Sequence, residues 1–306
     1  MGYPEADCDD ANLPNFLPQL DPADMSREKW ELMVPIISPS PRISRIIHQT
    51  YPTEVLPKSL EDNVASLVAA NPGWVHRLYD DKAIEQFIKE NYPAEILAAY
   101  LRIRPEYGAA RADLFRYLAV YALGGVYIDI KSRFTRSIDE VVVGDEGLIL
   151  SQWRNAMGEP HQGFGLHPEL GHVPGGEFQQ WHIIAAAGHP FLRAVVVHVL
   201  ANIEHYSPWS FGVGRNGVFR LTGPIAYTLA IQPLLGSASA KIVASEADLS
   251  LEYSIVGNYV HHDAFKRHYS HYDTSILTLP LASRGSALLY TVARRLKTRI
   301  ASTLRR

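Results

Sequence analysis

Residues 42–79 read RISRIIHQTYPTEVLPKSLEDNVASLVAANPGWVHRLY, and the order of patterns within them decides the fold class. The first nine, RISRIIHQT, have the length and β-branched content of a buried strand. Pro57 then opens KSLEDNVASLVAAN, which keeps a helical period until Asn71-Pro72-Gly73 stops it. WVHRLY, residues 74–79, is a second strand. A strand, a helix and a strand within about forty residues make the βαβ unit of a parallel sheet covered by helices. An α/β fold is expected.

The same alternation continues outward. DKAIEQFIKENY reads as a helix, followed by helices over 94–102 and 106–123, where Gly124 and Gly125 supply the left-handed stop that turns the chain into the strand VYIDI. GLILSQW (147–153) is another strand, and MGEPHQGFGLHPELGHVPGG (157–176) a loop rich in Gly and His. Helices over 191–205 and TGPIAYTLAIQPLL and a late strand LEYSIV complete the pattern. Upstream, residues 1–41 lack a sustained period and read as an irregular arm around one short helix near 26–33.

Composition narrows the function. With 47% hydrophobic and 20% charged residues, the 306-residue chain has ample material for a core. A formal charge of −3 argues against a nucleic-acid partner, which would require an excess of Lys and Arg on one surface. The single cysteine, Cys8, allows no internal disulfide, so a reducing cytoplasm is expected. No apolar run approaches a membrane span, and the acidic start MGYPEADCDD is the reverse of a signal peptide's basic region.

Chemistry concentrates in ALGGVYIDIK, residues 122–131. Strand alternation there would point Tyr127, Asp129 and Lys131 one way and Val126, Ile128 and Ile130 the other. One helix earlier, Asp113 and Arg116 stand three residues apart. Alone, such a pair is ordinarily a solvated ion pair on a helix surface. Its place just before GGVYIDIK suggests a site instead. Asp80 and Asp81, at the end of the second strand, are candidates for ligand contacts or for a helix cap.

ISRIIHQTY, NPGWVHRLYDD and ARADLFRYLAVYALGGVYIDIK together resemble the family 32 glycosyltransferases with a DXD sugar-binding region, which include fungal initiating mannosyltransferases and the glucosylating domains of bacterial toxins. The resemblance runs from about Arg42 to Asp139 and is looser after residue 150. It implies a GT-A type fold, a Rossmann-like mixed sheet flanked by helices in one domain with helical additions. It also implies transfer of a hexose or amino-hexose, with retention, from a UDP- or GDP-sugar to a glycan or lipid-linked acceptor. Asp113 and Arg116 match the pair that holds donor sugar hydroxyls, and Asp129 the first acid of the DXD motif. Tyr51 falls where relatives stack an aromatic on the base, and Tyr127 would line the donor pocket.

Lys131 departs from the family pattern, which has a second acid there, and an ammonium group cannot coordinate a cation. Three readings follow. A divalent cation, Mn²⁺ or Mg²⁺, binds through Asp129 and a distant residue; the ammonium replaces the metal as counter-charge to the diphosphate; or the protein binds a nucleotide sugar without turnover. For the first, YVHHDAFKRHYSHYD offers late ligands, with His268, Ser270 or His271 as candidates. Glu177, in GGEFQQWHII, reads as an ordinary acid opening a helix, or as a residue facing Asp129 with Gln179 as an alternative. A glycoside hydrolase using Asp129 and Glu177 is a rival that would need no nucleotide. His48 reads as structural, and GVGRNG (212–217) as an acceptor-side loop at most.

The chain thus divides into an arm (1–41), a transferase domain (42–283) and a basic helix (284–306). In that last part Leu289, Val292, Leu296, Ile300 and Leu304 recur at helical spacing among Arg and Lys residues. Such a helix either packs on its own domain or rests on a membrane surface, here the inner face.

Overall fold

A computed structural model of the chain describes residues 25–255 and 272–304. Helix α1 (Met25–Met33) leads to β1 (Ile46–Thr50), α2 (Lys58–Ala70), β2 (Val75–Tyr79), α3 (Asp81–Asn91), α4 (Ala94–Arg102), α5 (Gly108–Leu123) and β3 (Gly125–Ile128). A short β4 (Arg133–Phe134), a single turn α6 (Ile138–Val141), β5 (Leu148–Ser151) and β6 (His182–Ala185) follow. Then come α7 (Pro190–His205), α8 (Pro208–Phe211), α9 (Gly214–Leu221), α10 (Pro224–Ile231), β7 (Lys241–Val243), β8 (Leu251–Glu252) and α11 (Leu281–Leu304).

Six strands form one mixed sheet in the order β2-β1-β3-β6-β5-β7, while β4 and β8 pair separately. The βαβ unit expected of residues 42–79 is present, with β1 parallel to both β2 and β3. Beyond β3 the sheet reverses, since β6 runs antiparallel to β3 and to β5. Period-two alternation then sorts side chains between two cores. Ile47, Val126, Ile184 and Ile149 are register partners across four strands and face the smaller core with Leu67 and Trp74. Tyr127, Ile183 and Leu148 face the larger one, filled from α3, α4, α5, α7 and α10.

Helix α5 is buried on nearly every side, from Ala110 through Tyr121. A helix apolar all round belongs in a core, and Asp113 and Arg116 are carried in with it. The solvated surface pair that is the ordinary explanation for such spacing does not apply, because both residues are buried.

The glycine pair performs the expected reversal. Gly124 caps α5 at φ +65°, its N–H donating to Val120 O at 2.9 Å, and Gly125 enters β3 at φ +105°. A Cβ on Gly125 would lie 2.4 Å from the Ile46 carbonyl oxygen, which is backbone of the neighbouring strand and has little room to yield. Gly125→Ala is therefore expected to destabilise by more than about 1 kcal/mol. Gly285→Ala, on an exposed turn of α11 with nothing within 4 Å, is the contrasting case and should be neutral or mildly stabilising. Thermal melts of the two variants beside the parent check both.

Several expected boundaries move. The first strand begins at Ile46, and the strand read as VYIDI ends at Ile128 because Ser132 N–H donates to Asp129 O at 2.8 Å and closes a turn. Alternation thus stops before Lys131. The segment after the 175–176 glycine pair does not open a helix at Glu177. It runs extended into β6, where pairing with β3 and β5 on both sides overrides the local pattern. GVGRNG leads into α9 rather than forming a loop throughout.

Candidate functional site

Because β1 and β3 are adjacent and parallel, their C-terminal ends share one edge of the sheet, the edge where open α/β sheets take ligands. Thr50 ends β1, and its Oγ1 lies 3.0 Å from Tyr127 Oη. Asp129 follows β3 directly, its N–H donating to Trp181 O at 2.9 Å. Tyr51 follows β1 at the same edge, its N–H donating to Tyr79 O.

Helix α5 delivers the other half. The Arg116 guanidinium lies over the Tyr127 ring, 4.6 Å from its centre. Arg116 Nη2 donates to Asp129 Oδ1 at 3.1 Å and stands 3.4 Å from Asp113 Oδ1, while Nη1 donates to the Gln180 carbonyl at 2.8 Å and side-chain oxygen at 2.5 Å. Asp113 also accepts from Gln180 Nε2 at 3.1 Å and Thr222 Oγ1 at 2.9 Å. Asp113, Arg116, Tyr127 and Asp129 therefore form one connected cluster. Side-chain exposure is 5% for Asp113 and Arg116 and 23% for Asp129, so Asp129 is the carboxylate that solvent or a ligand can reach.

Burial pushes the Asp113 carboxyl above its ordinary range, against the pull of Arg116, Thr222 and Gln180. Burial also opposes the charge on Arg116, yet Tyr127, Asp129 and Asp113 outweigh it and hold the guanidinium above its usual value. Lys131 sits inside the turn after β3. Its Nζ donates to Tyr253 Oη at 3.1 Å and lies 4.3 Å from that ring's centre. Burial works against this ammonium too, but Tyr253 and Asp129 prevail, and its pKa is raised.

Two acids and two cations thus share the site, with no surplus of negative charge. A divalent cation held by the chain does not fit the described residues. Asp129 is the reachable carboxylate and its Oδ1 already accepts from Arg116; Asp113 is committed to three partners; the neighbouring position offers an ammonium. Among the described residues no group of three His, Cys, Asp or Glu side chains could share a metal ion. His268, Ser270 and His271 lie outside the described residues.

Glu177 is engaged elsewhere. Its carboxylate accepts from Trp153 Nε1 at 2.6 Å and bonds His167 Nε2 at 2.7 Å, holding the loop over 154–176. Gln179 donates to Glu246 Oε2 at 2.7 Å, and its Oε1 meets Ser151 Oγ at 2.5 Å. None of these bonds reaches the Asp129 cluster. His48 is buried between Tyr79 Oη and Gly124 O, which keeps it structural, with its pKa lowered to about 4 mainly by burial. Asp80 caps α3 by accepting from Ala83 N–H at 2.7 Å. Sequence reasoning missed Gln180 and Thr222, which complete the Asp113–Arg116 pair. They come from segments roughly 65 and 110 positions away, and nothing in their local spacing marks them.

Residues 57–148 match the model of the glycosyltransferase sugar-binding region containing DXD motif, a span that includes Asp113, Arg116, Tyr127, Asp129 and Lys131. This stretch of the chain is similar to that family. It is 28% identical over 205 residues to mannosyl phosphorylinositol ceramide synthase SUR1 of Saccharomyces cerevisiae, covering 64% of this chain and 50% of that protein. It is 29% identical over 133 residues to the initiation-specific alpha-1,6-mannosyltransferase of Candida albicans, covering 42% of this chain and 34% of that protein. The chain therefore spans half or less of the length of these relatives. Among solved structures the PaToxG glycosyltransferase aligns with a TM-score of 0.44 and 15% identity, over 85% of this chain and 87% of that one.

Proposed function

We propose that this chain is an enzyme that transfers a hexose, with retention of configuration, from a nucleotide-sugar donor to a glycan or glycolipid acceptor. The observation that carries the reading is the single cluster of Asp113, Arg116, Tyr127 and Asp129 at the C-terminal edge of β1 and β3. A carboxylate that accepts and a guanidinium that donates suit sugar hydroxyls. Two of the relatives carry a mannosyl group in their names, so mannose is the first sugar to test. A lipid-linked acceptor would be met at a membrane surface, such as the inner face of the cell membrane.

In the transfer, the bond from the anomeric carbon to the diphosphate breaks and its electron pair leaves with the phosphate. The acceptor hydroxyl bonds the same face of the sugar, and the departing phosphate oxygen takes its proton. The chain's task is to meet growing negative charge on that phosphate. Lys131, held at Tyr253 beside Asp129, serves as this counter-charge, and Asp129 orients the sugar through the hydroxyls it accepts.

Isothermal titration with UDP, GDP and their sugars, in EDTA and in Mn²⁺, tests the assignment. Binding in EDTA is expected, with Lys131→Ala weakening it by about 10- to 100-fold, the loss of one charge-assisted hydrogen bond. Lys131→Asp restores the family's second acid and should make binding depend on Mn²⁺. If the parent binds only with Mn²⁺ and Lys131→Ala has no effect, the counter-charge role is wrong. Binding without donor hydrolysis under either condition would favour the second reading, a nucleotide-sugar-binding protein, which Lys131 itself motivates. Hydrolysis of a nucleotide-free glycoside would favour a hydrolase.

A further inference from the structure

Over residues 281–296, helix α11 meets the rest of the protein along one narrow face. Tyr290 is buried there, edge-on to Trp209 with ring centres 5.1 Å apart, and Trp209 Nε1 donates to Ser286 O and Oγ at 3.2 and 3.1 Å. At 100° per residue, Leu281, Leu288, Leu289, Val292 and Leu296 fall within an arc of about 100°, and Tyr290 lies on the far side of the axis from Leu281. The exposures agree: Leu281 80%, Leu288 66%, Leu289 67%, Val292 48% and Leu296 53%. An aliphatic stripe thus points away from the body of the protein. A contiguous apolar surface of this kind marks an interaction site rather than scattered surface residues.

Charge selects the occupant. From Leu281 to Arg306 the chain has no Asp or Glu, while Arg284, Arg294, Arg295, Lys297, Arg299, Arg305 and Arg306 are basic. Asp273 pairs with Arg295 from outside the helix. Two copies of such a helix packed stripe to stripe would bring like charges together. An anionic surface is complementary. Beside the stripe, a groove of about 370 Å³ lies between the start of α11 and the strand-like 275–279 segment, lined by Arg104, Arg284, Ser275 and Thr278. Arg284 Nε donates to Leu279 O at 3.2 Å, and Arg104 pairs with Glu106. On the helix Arg284 is about 60° from Leu281, so the groove opens along the edge of the stripe.

We propose that α11 docks the protein on an anionic phospholipid surface, with the aliphatic stripe at the acyl boundary and the Arg104–Arg284 groove taking a lipid phosphate. The basic amphipathic helix provides the two contributions such attachment requires, apolar burial and attraction to anionic headgroups. The docking is independent of the transfer chemistry and stands whether or not the donor reading does.

The test is co-sedimentation of the full chain, without donor, with phosphatidylcholine vesicles containing phosphatidylserine and with phosphatidylcholine alone. Pelleting with the first and not the second is expected, weakening as salt rises. Leu288→Gln with Val292→Gln should cut vesicle binding at least tenfold, and both positions are exposed, so far-UV circular dichroism and donor hydrolysis should stay at parent values. Arg104→Gln with Arg284→Gln should lower binding to the anionic vesicles. A parent that remains in the supernatant, or a Leu288→Gln/Val292→Gln protein that pellets like the parent, overturns the proposal. So does a concentration-dependent dimer that this pair of substitutions abolishes, because a second copy would then occupy the stripe.

Discussion

Arg116→Met is expected to destabilise the fold by about 3–5 kcal/mol, the range seen when one partner of a buried ion pair is removed. The guanidinium faces two carboxylates, and Asp113 is fully enclosed with Thr222 and Gln180 as its neutral partners. Without Arg116, two hydrogen bonds would remain to an ion whose charge is no longer balanced. Adding Asp113→Asn should recover part of the loss, so the double variant is more stable than the sum of single effects allows. The pH dependence has a definite sign. Burial already raises the Asp113 pKa, and loss of Arg116 raises it further. An acid whose folded-state pKa exceeds its unfolded value gains stability as pH falls. The deficit of Arg116→Met should therefore narrow as pH is lowered from neutrality. Urea melts of the parent, both single variants and the double variant at two pH values check this. A deficit below about 1 kcal/mol, or one that widens on acidification, would mean that Arg116 does not compensate buried charge.

How far the sequence carried this site depends on the range of each interaction. Asp113, Arg116, Tyr127 and Asp129 all lie within one helix, one glycine reversal, one strand and the residue that follows it, so their meeting follows from local rules: helical spacing, a left-handed stop and strand alternation. Alternation was legible only as far as Ile128, because the turn closed by Ser132 N–H onto Asp129 O leaves no trace in hydrophobic period. Lys131 falls inside that turn, and its partner Tyr253 lies 122 positions on. Gln180 had a similar obscurity. Its segment resembles a helix start after two glycines, and only pairing of His182–Ala185 with β3 and β5 reveals it as the approach to a strand. Glu177 was a reasonable acid to suspect, and its bonds to Trp153 and His167 are set by the fold of a loop whose sequence has no period. The tail was legible as a basic amphipathic helix. Which of its faces would meet the protein was not, since Tyr290 anchors it through Trp209, a residue no helical pattern connects to it.

Asp129→Asn is expected to lower sugar transfer by on the order of 10²–10³-fold, the cost of losing one charged contact to the reacting group, while leaving the melting temperature close to the parent's. The two parts of that expectation come from the same geometry. Asn retains an oxygen that can accept from Arg116 Nη2, and Arg116 keeps Asp113, so no buried cation is stranded. What disappears is the reachable negative charge at the sheet edge. If Asp129 acts on the hydroxyls of the transferred sugar, binding of the bare nucleotide should change little and binding of the sugar nucleotide should weaken, because only the latter carries the hexose. If it acts instead by neutralising Lys131, then removing its charge should tighten binding of the nucleotide diphosphate, since the ammonium would no longer be shared with a carboxylate. Titrating Asp129→Asn with UDP and GDP beside their sugars separates these roles without relying on turnover. Glu177→Gln is the comparison, since its carboxylate is committed to Trp153 and His167 and its replacement should loosen the 154–176 loop before it alters donor binding. Near-parent transfer by Asp129→Asn would remove Asp129 from the reaction. Transfer lost equally in Glu177→Gln, with donor binding and stability intact, would move the chemistry to the other carboxylate.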